Sequence, residues 1–307
     1  MPGYIIRRLF FAIPTMFVII LLTFLLMHMA PGGPFDDLVD IDPEVLANLR
    51  AAYNLDDTVW KQFLAYLGGL LQGDLGPSLV YREQTVGHII AVGLPVSVTI
   101  GLSAMTIGLS IGLVCGIVAA LKHNSVLDYT LMAAAMTGVA VPTFVTAPLL
   151  ILIFGLYLSW LPISGWNGGQ IQHLILPVTA LAIPKIAAIA RIARGAMLES
   201  INTDYVRTAR AKGLGEFKVI VHHVLRPVFI PITSYLGPAI AGVMTGSVII
   251  EKIFGLPGIG RAFVDAALNR DYPVVMGIVI VYAAFIVLLN LIVDILYGFL
   301  DPRIRQT

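Results

Sequence analysis

The sequence predicts an all-α polytopic membrane protein with six transmembrane helices. The chain of 307 residues is 58% hydrophobic, and only 12% of its residues are charged, about half the share that soluble domains carry. Its mean hydropathy is +0.91. Several runs exceed the roughly 18 apolar residues that mark a membrane-spanning helix. These runs are continuous, whereas the strands of a β-barrel would show short alternating segments.

The N-terminus is predicted to begin with a retained first helix over about 9–30. Arg7 and Arg8 precede an apolar stretch that runs from Leu9 to about Met29. That stretch is too long for the apolar region of a signal peptide, and no A-x-A cleavage pattern follows it. We therefore assign 1–30 to the N-terminal cytoplasmic end and the first transmembrane helix.

The segment 31–94 is predicted to be an extracytoplasmic insertion. It contains two helix-like stretches, about 43–53 and 58–71, followed by the turn-rich QGDLGPS. It is too small and too sparsely apolar to form a domain of its own. Two interpretations stay open, a cap over the outer mouth of the helix bundle and a helical loop without a special role.

The remainder, 95–307, is predicted to be a transmembrane core with spans at about 95–121, 129–160, 173–198, 228–251 and 274–300. The 129–160 span is long and contains Pro142 and Pro148, which predicts a tilted or kinked helix. Gly108, Gly112 and Gly116 recur every four residues on one face of the 95–121 span. This spacing permits close helix packing, either within the chain or against a partner.

The distribution of Lys and Arg predicts that both termini are cytoplasmic. With the N-terminus inside, thirteen of the nineteen basic residues fall on the inside, eight of them in 185–227. The 31–94 segment carries nine acidic and three basic residues and therefore lies outside. The net charge of +1 gives no argument for nucleic-acid binding.

The polar segment 204–227 is the most informative part of the inner side, within a predicted coupling segment at 199–227. Asn202 and Thr203 can cap a helix that starts near Asp204, and Gly213 can end it in a left-handed cap. A second helix over 216–226 is predicted to end at Pro227. Ala209 and Gly213 would give the first helix a small-residue face, which suits protein docking better than lipid contact, although the residues alone leave both open.

The motifs TARAKGL and HHVLRP in this segment resemble the EAA loop (Glu-Ala-Ala, three residues, Gly) of binding-protein-dependent ABC importer permeases. Ala209 stands at the second Ala and Gly213 at the Gly, whereas Arg207 and Thr208 replace the Glu and the first Ala, as is typical of the peptide-importer branch. RRLFFAIPTMFVI, MAPGGPF, PVSVTIGL, GWNGG, LPV, IIEKIFGLPGIGR, NRDYPVVMG and DPRIR also resemble that branch. Over its full length the chain is similar to an oligopeptide or dipeptide permease of the first of the two permease types.

The resemblance implies a type I ABC importer permease fold with a cytoplasmic coupling helix that docks on an ATPase. Carried onto this chain, the coupling element would comprise Tyr205, Thr208, Ala209, Arg210, Lys212, Gly213 and Leu214, with Arg226 and Pro227 anchoring its return to the next span. The implied partners are a second permease in a heterodimer, two cytoplasmic ABC ATPases, an extracytoplasmic peptide-binding protein, the peptide and the lipid bilayer. The implied location is the bacterial inner membrane. The chain has no G-x-x-x-x-G-K-[ST] loop, so ATP and Mg are expected in the partner subunits, with no cofactor in this chain.

A possible receptor-facing loop follows the fifth span. It comprises Gly255, Pro257, Gly258, Gly260, Arg261, Arg270 and Asp271. The alternative is that its glycines and proline only shape a turn into a re-entrant helix. Candidates for the lining of the translocation path are the ionisable residues near the membrane, each expected within reach of an interface: Lys185, Arg191, Arg194, Glu251 and Asp294.

Enzymatic and metal-binding functions are not predicted. His222 and His223 are adjacent and point about 100° apart on a helix, which makes a poor metal-ligand pair. Two alternatives to a peptide importer stay open. One is an importer of the same family for nickel, glutathione or an oligosaccharide, and the other is a stand-alone secondary transporter or channel. The acidic residues Glu251 and Asp294 lie near predicted span ends, which disfavours a proton-coupled carrier.

Overall fold

The computed structural model describes residues 2–29, 44, 56–81 and 83–300, and these form a helical bundle. Apart from Glu44, the predicted helix at 43–53 lies outside the described residues, as does the end of the tail. The helices in chain order are α1 Pro2–Met29, α2 Val59–Leu71, α3 Val86–Leu121, α4 Val126–Ala140, α5 Thr143–Leu150, α6 Ile171–Ile201, α7 Asp204–Ala211, α8 Glu216–Val219, α9 Leu225–Ile253, α10 Ile259–Leu268 and α11 Tyr272–Leu300. A π-helical turn, Ile151–Tyr157, extends α5, and another, Ile220–Val224, joins α8 to α9.

The prediction of six spans is confirmed when one bent helix pair is counted as a single span. In the described part of the chain, five helices are long and apolar enough to cross a membrane, and α4 and α5 form a sixth apolar unit bent by 104°. The break falls at Val141 and Pro142, which both have extended backbones. Because proline disfavours a helical conformation in the residue before it, the predicted kink is confirmed at this position.

Two predicted helix ends are wrong. The second span begins at Val86 rather than near residue 95, because Thr85 caps it by accepting a hydrogen bond from the His88 amide at 3.2 Å, and Pro95 lies inside the helix. The 216–226 helix does not end at Pro227 but continues as one apolar segment from Glu216 to Ile253. The π-helical turn just before Pro227 re-spaces the backbone hydrogen bonds that a proline would otherwise break.

Helix α6 is the centre of the bundle and packs against α3, α4, α5 and α9. The predicted glycine face of α3 makes the closest of these contacts. A Cβ atom added to Gly112 would lie 2.8 Å from the Ile186 carbonyl oxygen, and one added to Gly116 would lie 2.5 Å from that of Ala190. The close packing expected of these glycines is therefore confirmed, and it occurs within the chain.

The bundle has two distinct ends because α6 and α9 run in opposite directions. At one end, α6 passes into α7, and we call this the α7 end. At the other end, α9 turns into the short helix α10, which packs against α3, α9 and α11. The Gly165 amide donates to the Phe254 carbonyl there at 2.8 Å, which ties the start of α6 to the end of α9. Helices α1 and α2 share an apolar cluster with α11, which includes Phe24, Phe63 and Met276.

Candidate functional site

Helix α7 is amphipathic, and its apolar side faces its own chain. Val206 and Ala209 lie three residues apart, are almost completely buried and pack with Met197 of α6 and Val228 of α9. The predicted small-residue docking face is therefore wrong for Ala209, because this residue occupies the intramolecular side of the helix. Only the opposite side of α7 is accessible to a partner.

Gly213 ends α7 in the predicted left-handed conformation, with a φ angle of 78°. The Gly213 amide donates to the Arg210 carbonyl at 2.9 Å, and the Leu214 amide donates to the Ala209 carbonyl at 3.4 Å. This pair of bonds is the Schellman motif, which a residue with a Cβ atom adopts only with strain. The motif turns the chain sharply and leaves Leu214 partly exposed.

An ion pair crosses the Gly213 turn. The Arg210 guanidinium donates to Glu216 through Nε at 3.1 Å and through Nη2 at 2.6 Å. The hydrogen bond to Glu216 raises the pKa of Arg210 above its usual value, against a smaller opposing effect of desolvation. Both side chains are exposed, so the pair contributes little to global stability. Its geometric effect is to hold α8 beside α7.

The exposed side of this unit forms what we call the α7–α8 surface. It contains Phe217, whose side chain is 79% exposed and which the sequence motifs did not single out. An aromatic residue in a basic, polar turn was the signal that could have identified it. Arg226 is exposed and Pro227 half-buried at the start of α9, beyond this surface. The α7–α8 surface comprises Tyr205, Thr208, Lys212, Gly213, Leu214 and Phe217.

At the other end of the bundle, glycines shape the turn from α9 into α10. Gly255 has a φ angle of 63°, and the Leu256 amide donates to the Glu251 carbonyl at 2.9 Å in a second Schellman arrangement. Gly258 is buried so closely against the Glu251 carboxylate that an added Cβ atom would overlap it. A Cβ atom added to Gly260 would lie 2.7 Å from the Val248 Cα atom.

The carboxylate of Glu251 lies inside this turn. Glu251 is fully buried, and its Oε2 atom accepts a hydrogen bond from the Arg261 amide at 3.0 Å. Ser97 of α3 accepts one from the Ile259 amide at 3.0 Å. Both acceptors satisfy amides at the N-terminus of α10, where negative charge is favourable. Glu251 lies two residues before the end of α9, near a span end as predicted, but its carboxylate is occupied within the chain.

The burial in this turn supports the interpretation that its glycines shape a turn into a re-entrant helix. Gly258 and Gly260 are buried, whereas Pro257 is exposed and Gly255 and Arg261 are partly exposed. Helix α10 has ten residues and is about 15 Å long, which is too short to span a bilayer. Contact with a receptor stays a prediction for the exposed residues of the loop.

Asp271 connects the insertion to the start of α11. Its buried carboxylate accepts hydrogen bonds from the Ser78 hydroxyl, the Leu79 amide at 3.1 Å and the Val80 amide at 3.4 Å. The side chain is thus occupied within the chain and is not available to a receptor. Arg270, next to it, is half-buried with a φ angle of 55°.

We expect Asp271→Ala to loosen the 78–81 segment without unfolding the bundle. Each hydrogen bond to a charged acceptor contributes about 1.5–3 kcal/mol, and three donors would lose theirs. Hydrogen exchange at the Leu79 and Val80 amides should accelerate at least about tenfold. Asp74→Ala is the matched control, because Asp74 accepts only from the Gly76 amide in the same segment. Unchanged exchange in Asp271→Ala would contradict this role.

A third buried carboxylate, not singled out from the sequence, lies near the α7 end. Asp128 of α4 is 0% exposed and pairs with Arg194 of α6 through two hydrogen bonds, Nε–Oδ1 at 2.6 Å and Nη2–Oδ2 at 2.8 Å. The Asn124 amide and the His123 ring approach the same carboxylate at 3.1 Å and 3.3 Å. Arg194, a candidate for the path lining, is thus engaged in joining α4 to α6.

The other candidates for the path lining differ in their surroundings. Arg191 is exposed, and its Nη1 atom lies 3.8 Å from the Met136 sulfur. Lys185 lies in the middle of α6, far from both ends of that helix. The side chain of Asp294 lies outside the described residues. The structure does not bring the four described groups, Lys185, Arg191, Arg194 and Glu251, together into one cluster.

Comparison with solved structures identifies the fold. The bundle is similar to a structure of the MetNI methionine ABC transporter in an inward-facing conformation, with a TM-score of 0.56 and 16% identity over 69% of this chain and 96% of that one. It is also similar to an amino acid ABC transporter, with a TM-score of 0.53 and 18% identity over 68% and 93% of the two chains. The predicted type I ABC importer permease fold is thereby confirmed.

The chain belongs to the family of binding-protein-dependent transport system inner membrane components. The model of that family matches residues 112–306, and the model of its N-terminal region matches 1–99. The chain is 48% identical to the oligopeptide transport system permease protein OppB of Haemophilus influenzae, over 99% of this chain and 100% of the relative. It is 41% identical to the dipeptide transport system permease protein DppB of Bacillus subtilis, over 99% and 98%.

Proposed function

We propose that this chain is the transmembrane permease subunit of an ATP-driven importer of oligopeptides or dipeptides. It contributes half of the translocation path, and a second permease contributes the other half. The observation that carries the proposal is an exposed α7–α8 surface at one end of a bundle that is similar over its full length to peptide permeases. The α7 end faces the cytoplasm, together with both termini, in a bacterial inner membrane. The basic residues around α7 support this orientation.

In this proposal the α7–α8 surface docks on a cytoplasmic ATPase, which holds the ATP and Mg. Two such ATPases drive the permease pair between states. Leu214 and Phe217 are the apolar anchors, and Tyr205, Thr208 and Lys212 form the polar surroundings. Exposed apolar groups on a polar surface are typical of a protein contact. The buried pair Val206 and Ala209 transmits a displacement of α7 to α6 and α9, because it packs directly on them.

The α10 end faces outward and receives the peptide from an extracytoplasmic binding protein. Pro257 and the partly exposed Arg261 and Arg270 lie on the accessible part of this loop. The buried Gly258, Gly260 and Asp271 hold the shape of the same surface from within.

The proposed function is tested by reconstituting the chain with its second permease, the ATPases and the binding protein in proteoliposomes. We expect peptide uptake that requires ATP and all components. Uptake of peptide by the chain alone, without ATP, would overturn the proposal in favour of a secondary transporter. ATP-dependent uptake of nickel or a sugar, with no uptake of peptides, would overturn the proposal that peptides are the cargo.

Phe217→Asp tests the docking surface. Because Phe217 is 79% exposed, the substitution should leave the bundle folded. A buried aromatic anchor at an interface contributes about 2 kcal/mol or more, so copurification of the ATPase and peptide uptake should fall at least about thirtyfold. Phe217→Leu is the matched control, since it keeps an apolar side chain and should retain most of both activities. Normal ATPase binding in Phe217→Asp would contradict docking through this surface.

A further inference from the structure

Lys185 places an ammonium group near the middle of the central helix of the bundle. It lies fourteen residues after Ile171 and sixteen before Ile201, the ends of α6. At 1.5 Å per residue these separations are about 21 Å and 24 Å, much more than a lysine side chain extends. Helix α6, with 31 residues, is about 46 Å long and therefore exceeds the roughly 30 Å hydrocarbon core of a bilayer. The first exposed charge towards the α7 end is Arg191, six residues or about 9 Å further along, so the Lys185 ammonium lies deeper in the membrane than Arg191.

Two glycines on neighbouring helices make room for this side chain. A Cβ atom added to Gly108 of α3 would lie 2.7 Å from the Lys185 Cβ atom. A Cβ atom added to Gly242 of α9 would lie 3.3 Å from the Lys185 Nζ atom. Gly242 is exposed and Lys185 is half-buried. The stem of the lysine thus passes between α3 and α9, and the ammonium reaches the surface of the chain beside Gly242.

The ammonium of Lys185 is not neutralised within the described part of the chain. No hydrogen bond or ion pair joins Lys185 to a described residue. A lysine at the centre of a lipid-facing helix is among the costliest residues to insert into a membrane. The surface beside Gly242 is therefore not a lipid-facing surface. In the assembled protein, it must meet water or an opposite charge.

We propose that the surface at Lys185 and Gly242 lines the water-filled path, and that the Lys185 ammonium binds a carboxylate of the passing peptide. This inference rests on the proposed function. Every unmodified peptide carries a C-terminal carboxylate, and acidic side chains carry the same group. An ammonium and a carboxylate form a charge-assisted hydrogen bond, stronger than a neutral one. The missing side chain at Gly242 leaves space for the ligand against the ammonium.

Thiol labelling tests whether this surface faces water. Cys115 is the single cysteine of the chain, so Cys115→Ser gives a background for Lys185→Cys. Ile107→Cys is the matched control, because exposed Ile107 adjoins Gly108 at a similar depth on α3. In the assembled transporter in liposomes, a sulfonate-bearing methanethiosulfonate reagent should modify position 185 at least about tenfold faster than position 107, since charged reagents react from water. Equal, slow modification at both positions would overturn the proposal.

Transport by charge variants tests the ligand. Lys185→Met should lower the uptake of a tripeptide with a free C-terminus about tenfold, which corresponds to the loss of roughly one ion pair. Uptake of the same tripeptide with an amidated C-terminus should not change. Lys185→Arg should retain uptake of both. An amidated peptide that contains one Glu tests acidic side chains separately. If Lys185→Met also lowers the uptake of this peptide, Lys185 binds side-chain carboxylates as well. Equal losses of uptake for the tripeptide with a free C-terminus and for its amidated form, or no loss for either, would overturn carboxylate binding by Lys185.

Two further readouts distinguish a lysine that binds the peptide from a lysine that pairs with the second permease. If Lys185→Met no longer copurifies with the second permease and position 185 is not labelled, a carboxylate of that permease pairs with the lysine, and the inference is overturned. If the unmodified transporter shows no ATP-driven uptake of peptide, the proposed function fails. The labelling experiment still decides in that case whether Lys185 faces water.

Discussion

Gly116→Leu is expected to prevent the chain from accumulating in folded form. A Cβ atom at Gly116 would lie 2.5 Å from the Ala190 carbonyl oxygen and 2.6 Å from the Ala193 Cβ atom. Neither neighbour can move away easily, because one is backbone and the other is a short side chain on the most buried helix of the bundle. Helices α3 and α6 would have to separate, and their contact is the most extensive between any two described helices.

The smaller change Gly116→Ala gives a measurable version of the same effect. Overpacking of a close contact costs about 3 kcal/mol, which corresponds to a fall in Tm of about 6–12 °C for a protein of this size. Thermal unfolding of the purified chain in detergent measures it. Gly195→Ala is the matched control, because Gly195 lies on α6 with no atom within 4 Å of its added Cβ. That change should be neutral or raise the Tm, since alanine favours a helix over glycine. A normal Tm in Gly116→Ala would contradict the close α3–α6 packing.

The apolar runs predicted the helices well because a membrane span is a local property of the sequence. The Gly108–Gly112–Gly116 spacing and the Gly213 cap were also predictable, since each depends on residues within a few turns. The starts of α3 and α9 were less predictable. Pro95 and Pro227 resemble helix boundaries, but the Thr85 cap and the π-helical turn at Ile220–Val224 keep both prolines inside helical segments.

The parts of the candidate site that depend on distant residues were not predictable from the sequence. The side of α7 that is buried depends on how α6 and α9 approach it, so Ala209 was assigned to the wrong side. Val206, three residues before it, was the local signal for the correct side. The ionisable residues show the same limit. Glu251 satisfies the amide of Arg261 after the chain has turned back. For Lys185, the place in the middle of its span could be read from the sequence, but the glycines around it lie on two other helices.

Arg194→Met is expected to destabilise the chain more than any other single charge removal in α6. It would leave the fully buried Asp128 carboxylate with only the Asn124 amide and the His123 ring as partners. Removing one partner of a buried ion pair costs about 3–5 kcal/mol, because the remaining charge is uncompensated. The Tm of the purified chain should fall accordingly, by about 6 °C or more.

Arg191→Met separates this effect from a general loss of positive charge on α6. Arg191 lies one turn before Arg194, is exposed and has the Met136 sulfur as its neighbour, so its removal should change stability by less than about 0.5 kcal/mol. Replacing both partners, Asp128→Leu with Arg194→Met, should recover part of the lost stability, because no buried charge then remains. A double variant less stable than Arg194→Met alone would show that Asp128 stabilises the α3–α4 turn mainly through Asn124 and His123. Partial recovery instead identifies the pairing with Arg194 as the interaction that holds α4 against α6. In that case the ion pair joins the bent α4–α5 unit to the helix that continues into α7.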